Sequence, residues 1–237
     1  RECDMSRAET IDIPTSFVTI VPHTTNASCT FAFYLLKENL HGTGKKKYYL
    51  NPWREKCEYE AICEGDDYWI DPLKLQKQVD FLDENPEYGM VYSKCKQFIQ
   101  KKQSFSYRAF GSPFSSTKDL IYDNTIPTPS VLLRLSLYES YINDVNEFSK
   151  GWLMGDYPMW LYFSLNSKIH FIDDEMVVYR VLENSACHST DYLRRQQFII
   201  SSFEIKRFYN MRYNILSQSL LDKQMYESLV INAIHFN

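Results

Sequence analysis

The stretch Tyr59-Glu60-Ala61-Ile62-Cys63-Glu64-Gly65-Asp66-Asp67-Tyr68-Trp69, followed at once by Asp71-Pro72, decides how the rest of the chain is read. Residues 59–63 have the aromatic and apolar make-up of a short strand, and they run directly into an acidic turn. Glu64, Asp66 and Asp67 crowd three carboxylates into four residues, with Gly65 between them to let the backbone turn. Asp71 before Pro72 supplies an N-cap and a first-turn proline. The helix they open is predicted to run to about Glu84 and to place Leu75, Val79 and Leu82 on one apolar face. Strand, acidic turn and helix in this order put the carboxylates at the C-terminal end of a strand, the edge where ligand sites of α/β sheets gather.

Working outward, residues 88–92 read as a second strand and 130–135 as a third, feeding a helix from about Leu137. Asp156 with Pro158 marks another helix start, running to about Leu165. Residues 168–172 and 176–181 are predicted as two strands joined by a tight acidic turn, Asp173-Asp174. Strands alternating with helices make this an α/β protein. Residues 190–237 look helical, with Phe198, Ile199, Phe203, Ile205, Phe208, Leu216, Leu220 and Leu221 in broken 3.6-like spacing. Residues 1–57 show no clear period: an apolar run at 17–22, an aromatic-rich run at 31–36 and the basic cluster Lys45-Lys46-Lys47. The expected organisation is an atypical N-terminal segment (1–57), a core (58–189) and a C-terminal helical segment (190–237).

Composition narrows the function. With 237 residues, 44% of them hydrophobic and 16% aromatic, the chain can fill a sizeable core. A net charge of −4 argues against a protein that coats nucleic acid. Only seven glycines occur, where average usage of roughly 7% would give about seventeen. No G-x-G-x-x-G, complete Walker loop or G-x-S-x-G is present, which excludes the dinucleotide, P-loop and α/β-hydrolase readings. Gly42-Thr43-Gly44-Lys45 lacks the first glycine spacing of a phosphate loop and reads as a solvated basic loop. No apolar run approaches the roughly 18–20 residues of a membrane span. The six cysteines have no C-x-x-C spacing, and Arg1-Glu2-Cys3-Asp4 lacks the apolar stretch of a secretory signal. Free thiols in a cytoplasmic protein are therefore expected, with Asn26-Ala27-Ser28 a chance sequon.

Carboxylates as close as Glu64, Asp66 and Asp67 repel one another, so a cation among them is the natural complement. Mg²⁺ or Mn²⁺ fits, since such ions use one or two carboxylates together with substrate phosphates. The plain alternative is an exposed acidic turn. For Asp156 the local sequence alone favours a helix N-cap.

A resemblance sharpens these readings. Residues 62–69, then Asp71-Pro72-x-Lys74-Leu75-x-x-Gln78-Val79-x-Phe81-Leu82 and Asn85-Pro86-Glu87, strongly resemble family 2 glycosyltransferases, nucleotide-sugar-dependent enzymes of the GT-A fold. The likeness continues through residues 124–127, Met154-Gly155-Asp156-Tyr157-Pro158-Met159-Trp160-Leu161, and residues 179–189. It implies a Rossmann-like mixed sheet flanked by helices, and an inverting transferase that moves a sugar from a nucleotide-diphosphate sugar, a UDP-sugar first among them, to a hydroxyl. The resemblance makes the acidic turn the D-x-D-type site, with Asp66 and Asp67 holding the divalent metal (Mg or Mn) and the donor diphosphate, and Glu64 in support. Asp156 matches the general base. Arg180 and His188 would close over the diphosphate; Arg180 could equally pair with Asp173, Asp174 or Glu183, and His188 could equally be an ordinary surface histidine. Aromatic faces suit sugar C–H surfaces, so Trp69 and Trp160 could flank a sugar, although aromatic residues at helix starts are more often core. The acceptor implied is a cell-surface glycan or lipid-linked sugar, with no nucleic acid and at most peripheral membrane contact at the inner face. Arg194, Arg195, Lys206, Arg207 and Phe208 are candidates for that contact, although a helix packed on the domain explains them better.

The N-terminal third departs from the family. Val18-Thr19-Ile20-Val21-Pro22 is a faint echo of its opening strand, and the acidic pair that should end a later strand is absent, so the nucleotide-binding strands look incomplete or disrupted. A catalytically inactive remnant or binding module is the alternative. A metal-dependent phosphohydrolase or nuclease is disfavoured by the negative charge and the lack of a second metal motif.

Overall fold

The computed structural model describes residues 3–13, 16–38, 53–145, 147–183 and 189–236. His188, the Gly42-Thr43-Gly44-Lys45 loop and the Lys45-Lys46-Lys47 cluster lie outside the described residues. The chain divides into two compact units, Arg1–Cys57 and Glu58–Asn237.

The first unit holds one antiparallel sheet in the order β1 (Glu9–Ile13), β2 (Ser16–Pro22), β3 (Thr30–Leu36). β2 is hydrogen-bonded on both sides, pairing Val18 with Ile11 and with Tyr34. The faint echo of a family strand at 18–22 is therefore the middle strand of an antiparallel meander.

The second unit is α/β. Its sheet runs β4 (Tyr59–Ala61), β8 (Leu132–Arg134), β6 (Tyr88–Ile99), β9 (Lys168–Val181), β5 (Tyr68–Trp69), with β7 (Ser104–Phe105) paired to β6. The sheet is mixed: β6 and β9 are parallel, and the other pairs antiparallel. Helices α1 (Lys74–Glu84), α2 (Thr117–Tyr122), α3 (Leu135–Val145), α4 (Tyr157–Asn166), α5 (Tyr192–Tyr213) and α6 (Gln218–Phe236) complete it. β4 and β5 occupy opposite edges of the sheet, so the acidic turn between them carries the chain from one edge to the other.

Helix α4 is the centre of the core. Its sequence is apolar all round, which only a buried helix tolerates, and Tyr157, Pro158, Trp160, Leu161, Tyr162 and Phe163 are all buried. α5 and α6 add Phe203, Ile205, Tyr209 and Leu221 to the same cluster. Asn214, in the left-handed region at φ 50°, ends α5. In this stretch Arg207 pairs with Asp222 at 2.7 Å, Phe208 packs against Phe148 and Trp152, and the Lys206 ammonium lies over Phe203. These residues serve helix packing.

Three expectations are corrected. Residues 168–181 form one strand, β9, and not a hairpin: Ser93 pairs with Ile172 and Lys94 with Glu175, so Asp173 and Asp174 are the extra residues of a bulge. Lys94 pairs with Asp173, and Lys77 with Asp174 at 2.9 Å, so both carboxylates of the bulge have a cationic partner. Helix α1 starts at Lys74, because the Asp71 carboxylate accepts the Leu73 N–H at 2.8 Å in a preceding turn. Its inner face is Lys74, Gln78 and Leu82, while Leu75 is exposed. Ser130, expected to begin a strand over 130–135, instead ends a short 3-10 helix, Thr128–Ser130, and the strand is Leu132–Arg134.

Candidate active site

A cleft of about 550 Å³ opens in the second unit, and both Glu64 and Asp156 line it. Its polar wall adds Gln97, Asn124 and Thr128; its apolar wall includes Phe110, Tyr179 and Phe198.

Asp156 is held from several directions. It is the N-cap of α4, where its Oδ1 accepts the Tyr157 N–H at 2.8 Å, and Pro158 fits the first turn. Its Oδ2 accepts the Thr128 hydroxyl at 2.6 Å. The Tyr157 hydroxyl donates to the Leu120 carbonyl at 3.1 Å, and the Tyr209 hydroxyl to the Pro158 carbonyl at 2.7 Å, so the helix start cannot drift. The cap that local sequence favoured and the cleft position that the resemblance implied belong to the same carboxylate.

In the acidic turn the Asp67 N–H donates to the Glu64 carbonyl at 3.0 Å. Gly65 does not use its conformational freedom there: its φ is not positive, and a Cβ would meet nothing within 4 Å. Asp67 Oδ1 accepts the Arg180 backbone N–H at 2.8 Å, while Oδ2 is buried with no hydrogen-bond partner. Burial pushes Asp67 up to about 6 against that hydrogen bond, and the charge of Asp66 adds to the rise. Glu64 is pushed up to about 7, by burial first and then by the charges of Asp156, Asp67 and Asp66. Asp66 itself is exposed.

This donor set suits a hard cation. The oxygens are carboxylate oxygens, one of them is buried and unpartnered, and two carboxyls resist ionising through desolvation first and neighbouring negative charge second. Among the described residues no three His, Cys, Asp or Glu side chains converge as a metal centre. The protein would then supply one or two ligands from Asp66 and Asp67, the number Mg²⁺ or Mn²⁺ takes when a diphosphate supplies others.

The other predicted residues are placed as follows. The Arg180 guanidinium lies 5.5 Å from the Tyr68 ring centre, and its buried Nε has no partner. Asp173 pairs with Lys94, Asp174 with Lys77 and Glu183 with Lys101, so none of these three is Arg180's partner. The Trp69 indole N–H donates to the Pro129 carbonyl at 2.9 Å, and the Lys74 ammonium lies 4.5 Å from its ring centre. Trp69 lines a separate pocket with Lys74, not the cleft. Trp160 takes the core alternative: it is fully buried and does not face a sugar. Sequence reasoning missed Thr128, Gln97 and Phe110, which reach the cleft from three different segments without any shared local pattern.

No family model matches the chain. Uncharacterized proteins of Mycobacterium bovis and Mycobacterium tuberculosis are each 32% identical to it over 149 residues, covering 60% of this chain and 39% of theirs. The chain thus spans about two-fifths of the length of the curated relatives it matches. Among the described residues no helix is long and apolar enough to cross a membrane.

Proposed function

We propose that the chain is an inverting glycosyltransferase of the family 2, GT-A lineage, moving a sugar from a nucleotide-diphosphate sugar to a hydroxyl of a glycan or lipid-linked acceptor. The observation that carries this reading is the shared cleft, which Glu64 of the acidic turn and the doubly anchored Asp156 both line. Asp156 takes the proton of the acceptor hydroxyl; that oxygen attacks the anomeric carbon from the face opposite the diphosphate. The bond to the diphosphate oxygen breaks, and the nucleoside diphosphate leaves with inverted configuration at the sugar. Thr128 and the Tyr157 N–H fix the Asp156 carboxylate so that its remaining lone pairs serve as the base. Asp66 and Asp67 would hold Mg²⁺ or Mn²⁺, which neutralises charge developing on the leaving diphosphate. Arg180 adds fixed positive charge beside Asp67. The apolar cleft wall of Phe110, Tyr179 and Phe198 suits the C–H faces of a sugar ring. The setting proposed is cytoplasmic, with at most peripheral membrane contact and no nucleic-acid partner.

A second reading has its own observation. β2, the echo of the family's opening strand, is saturated by antiparallel neighbours in a sheet of its own, and β4 is the edge strand of its sheet, so the nucleotide-binding strands that the resemblance implies are not formed by either. A remnant that retains only the metal side of the donor site would look the same.

Calorimetric titration of UDP and other nucleoside diphosphates, with and without Mn²⁺, separates the two. The transferase reading expects micromolar binding that vanishes without metal and in Asp67→Ala. A folded protein that binds no nucleoside diphosphate is a remnant.

A further inference from the structure

The 3-10 helix Thr128–Ser130 is a junction for four other segments. The Trp69 indole N–H donates to the Pro129 carbonyl at 2.9 Å, and Gln78 Nε2 to the Ser130 carbonyl at 2.8 Å. The Ser93 N–H donates to Ser130 Oγ at 3.2 Å, and that hydroxyl donates to the Pro127 carbonyl at 2.7 Å. On its far side the Thr128 hydroxyl donates to Asp156 Oδ2 at 2.6 Å. Behind Gln78 stands Lys74, whose ammonium donates to Gln78 Oε1 at 2.8 Å.

Both polar residues of this relay are inside the protein, Gln78 at 0% and Lys74 at 1% exposure. An amphipathic helix ordinarily buries apolar side chains at such positions, and a buried ammonium with an amide, an aromatic ring and two thiols near it, and no carboxylate paired to it, loses more solvation than it recovers. Two such residues on the inner face of one helix therefore act against stability. What they contribute is geometry: a satisfied buried network specifies one arrangement of the groups it joins. Here the groups joined are the exit of the acidic turn, at Trp69, and the carboxylate of Asp156.

We propose that Gln78, itself held by Lys74, is a positioning residue for Asp156. Its bond to the Ser130 carbonyl fixes the 128–130 turn, and that turn presents the Thr128 hydroxyl to Asp156. The catalytic value of this positioning rests on Asp156 being the base, but the relay is measurable without any substrate.

The test is carbonyl-detected NMR of ¹³C-aspartate protein, with the Asp156 side-chain carboxyl resonance assigned by its loss in Asp156→Asn. Thr128→Val removes the direct donor and moves that resonance. Gln78→Met, and Lys74→Met one step further back, also move it, whereas Gln76→Met on the exposed face of α1 leaves it in place. Should Gln78→Met fold poorly, Gln78→Glu serves: it keeps an acceptor for Lys74 and presents no amide donor to the Ser130 carbonyl, so it too shifts the resonance. A resonance that moves in Thr128→Val but stays at its wild-type position in the folded Gln78 and Lys74 variants overturns the relay. So does one that ignores Thr128→Val. If the relay holds while Asp156→Asn transfers sugar as well as wild type, the assignment of Asp156 as base fails and the relay stands.

Discussion

Asp67 accepts the backbone N–H of Arg180 through Oδ1 at 2.8 Å, while Oδ2 of the same carboxylate is buried without a hydrogen-bond partner. A buried acceptor of this kind costs stability, and burial lifts the Asp67 pKa to about 6 despite the hydrogen bond and charge of Arg180. Asp67→Asn keeps an acceptor for Arg180 and discards the charge. It should raise the melting temperature by on the order of a few degrees at pH 8, with the gain shrinking as the pH falls towards 4. Metal-dependent binding of UDP should be lost in the same variant. Thermal scans at two pH values check the first point; a variant that melts lower at pH 8 counts against a strained carboxylate.

The sign of the wild-type pH dependence follows from the same groups. Glu64 and Asp67 have folded pKa values raised to about 7 and about 6, from 4.5 and 3.8. Between roughly pH 4 and 7 the folded protein therefore holds more protons than the unfolded chain, so these groups make stability fall as the pH rises through that window. A divalent cation bound there, as proposed, would compensate the ionised carboxylates. Millimolar Mn²⁺ should thus raise the melting temperature more at pH 8 than at pH 5, and this difference should disappear in Asp67→Ala. Equal shifts at both pH values would point to non-specific ion effects.

Two glycines give opposite expectations. Gly111 sits at φ 104°, and a Cβ there would lie 2.9 Å from the Ser93 carbonyl oxygen. Gly111→Ala should destabilise by about 1–3 kcal/mol. Gly65→Ala meets open space and ordinary backbone geometry, so its unfolding midpoint in urea should match wild type. Any effect of Gly65→Ala should appear only in nucleotide binding.

These contrasts show what the sequence could and could not disclose. The start of α4 was legible because an Asp with a proline two residues on is a local device, complete within three residues. The acidic turn was legible for the same reason. The continuity of β9 was not, since Asp173-Asp174 looks like a turn until Lys94 and Lys77, distant in sequence, are placed against it. The inner face of α1 misled because hydrophobic spacing assumes that apolar residues go inside, and here Lys74 and Gln78 do. Thr128 left no signal at all: its importance comes from a 2.6 Å contact with a residue on another element.

Trp160 tests the difference between a core and a ligand-binding role. Its ring is fully buried and meets Phe163 edge-on at 6.0 Å. Trp160→Ala should cost about 3–5 kcal/mol by leaving a cavity at the centre of α4, read as a lowered urea midpoint, and Trp160→Phe markedly less. A Trp160→Ala variant of unchanged stability would return the residue to the cleft.

Asp156→Asn is the most direct probe of the proposed chemistry. Asparagine keeps a side-chain oxygen to cap the Tyr157 N–H, and asparagine ranks with aspartate as an N-cap. The helix start is independently clamped by the Tyr157 and Tyr209 hydroxyls, so the melting temperature should stay within a few degrees of wild type. The amide cannot accept the acceptor's proton, and loss of a general base typically lowers turnover by about 10²–10⁴-fold. In the proposed mechanism the donor diphosphate contacts the acidic turn instead, so metal-dependent UDP affinity should be unchanged. A folded Asp156→Asn protein that binds UDP normally yet transfers sugar at the wild-type rate would move the base elsewhere, with Glu64 across the same cleft the next carboxylate to replace.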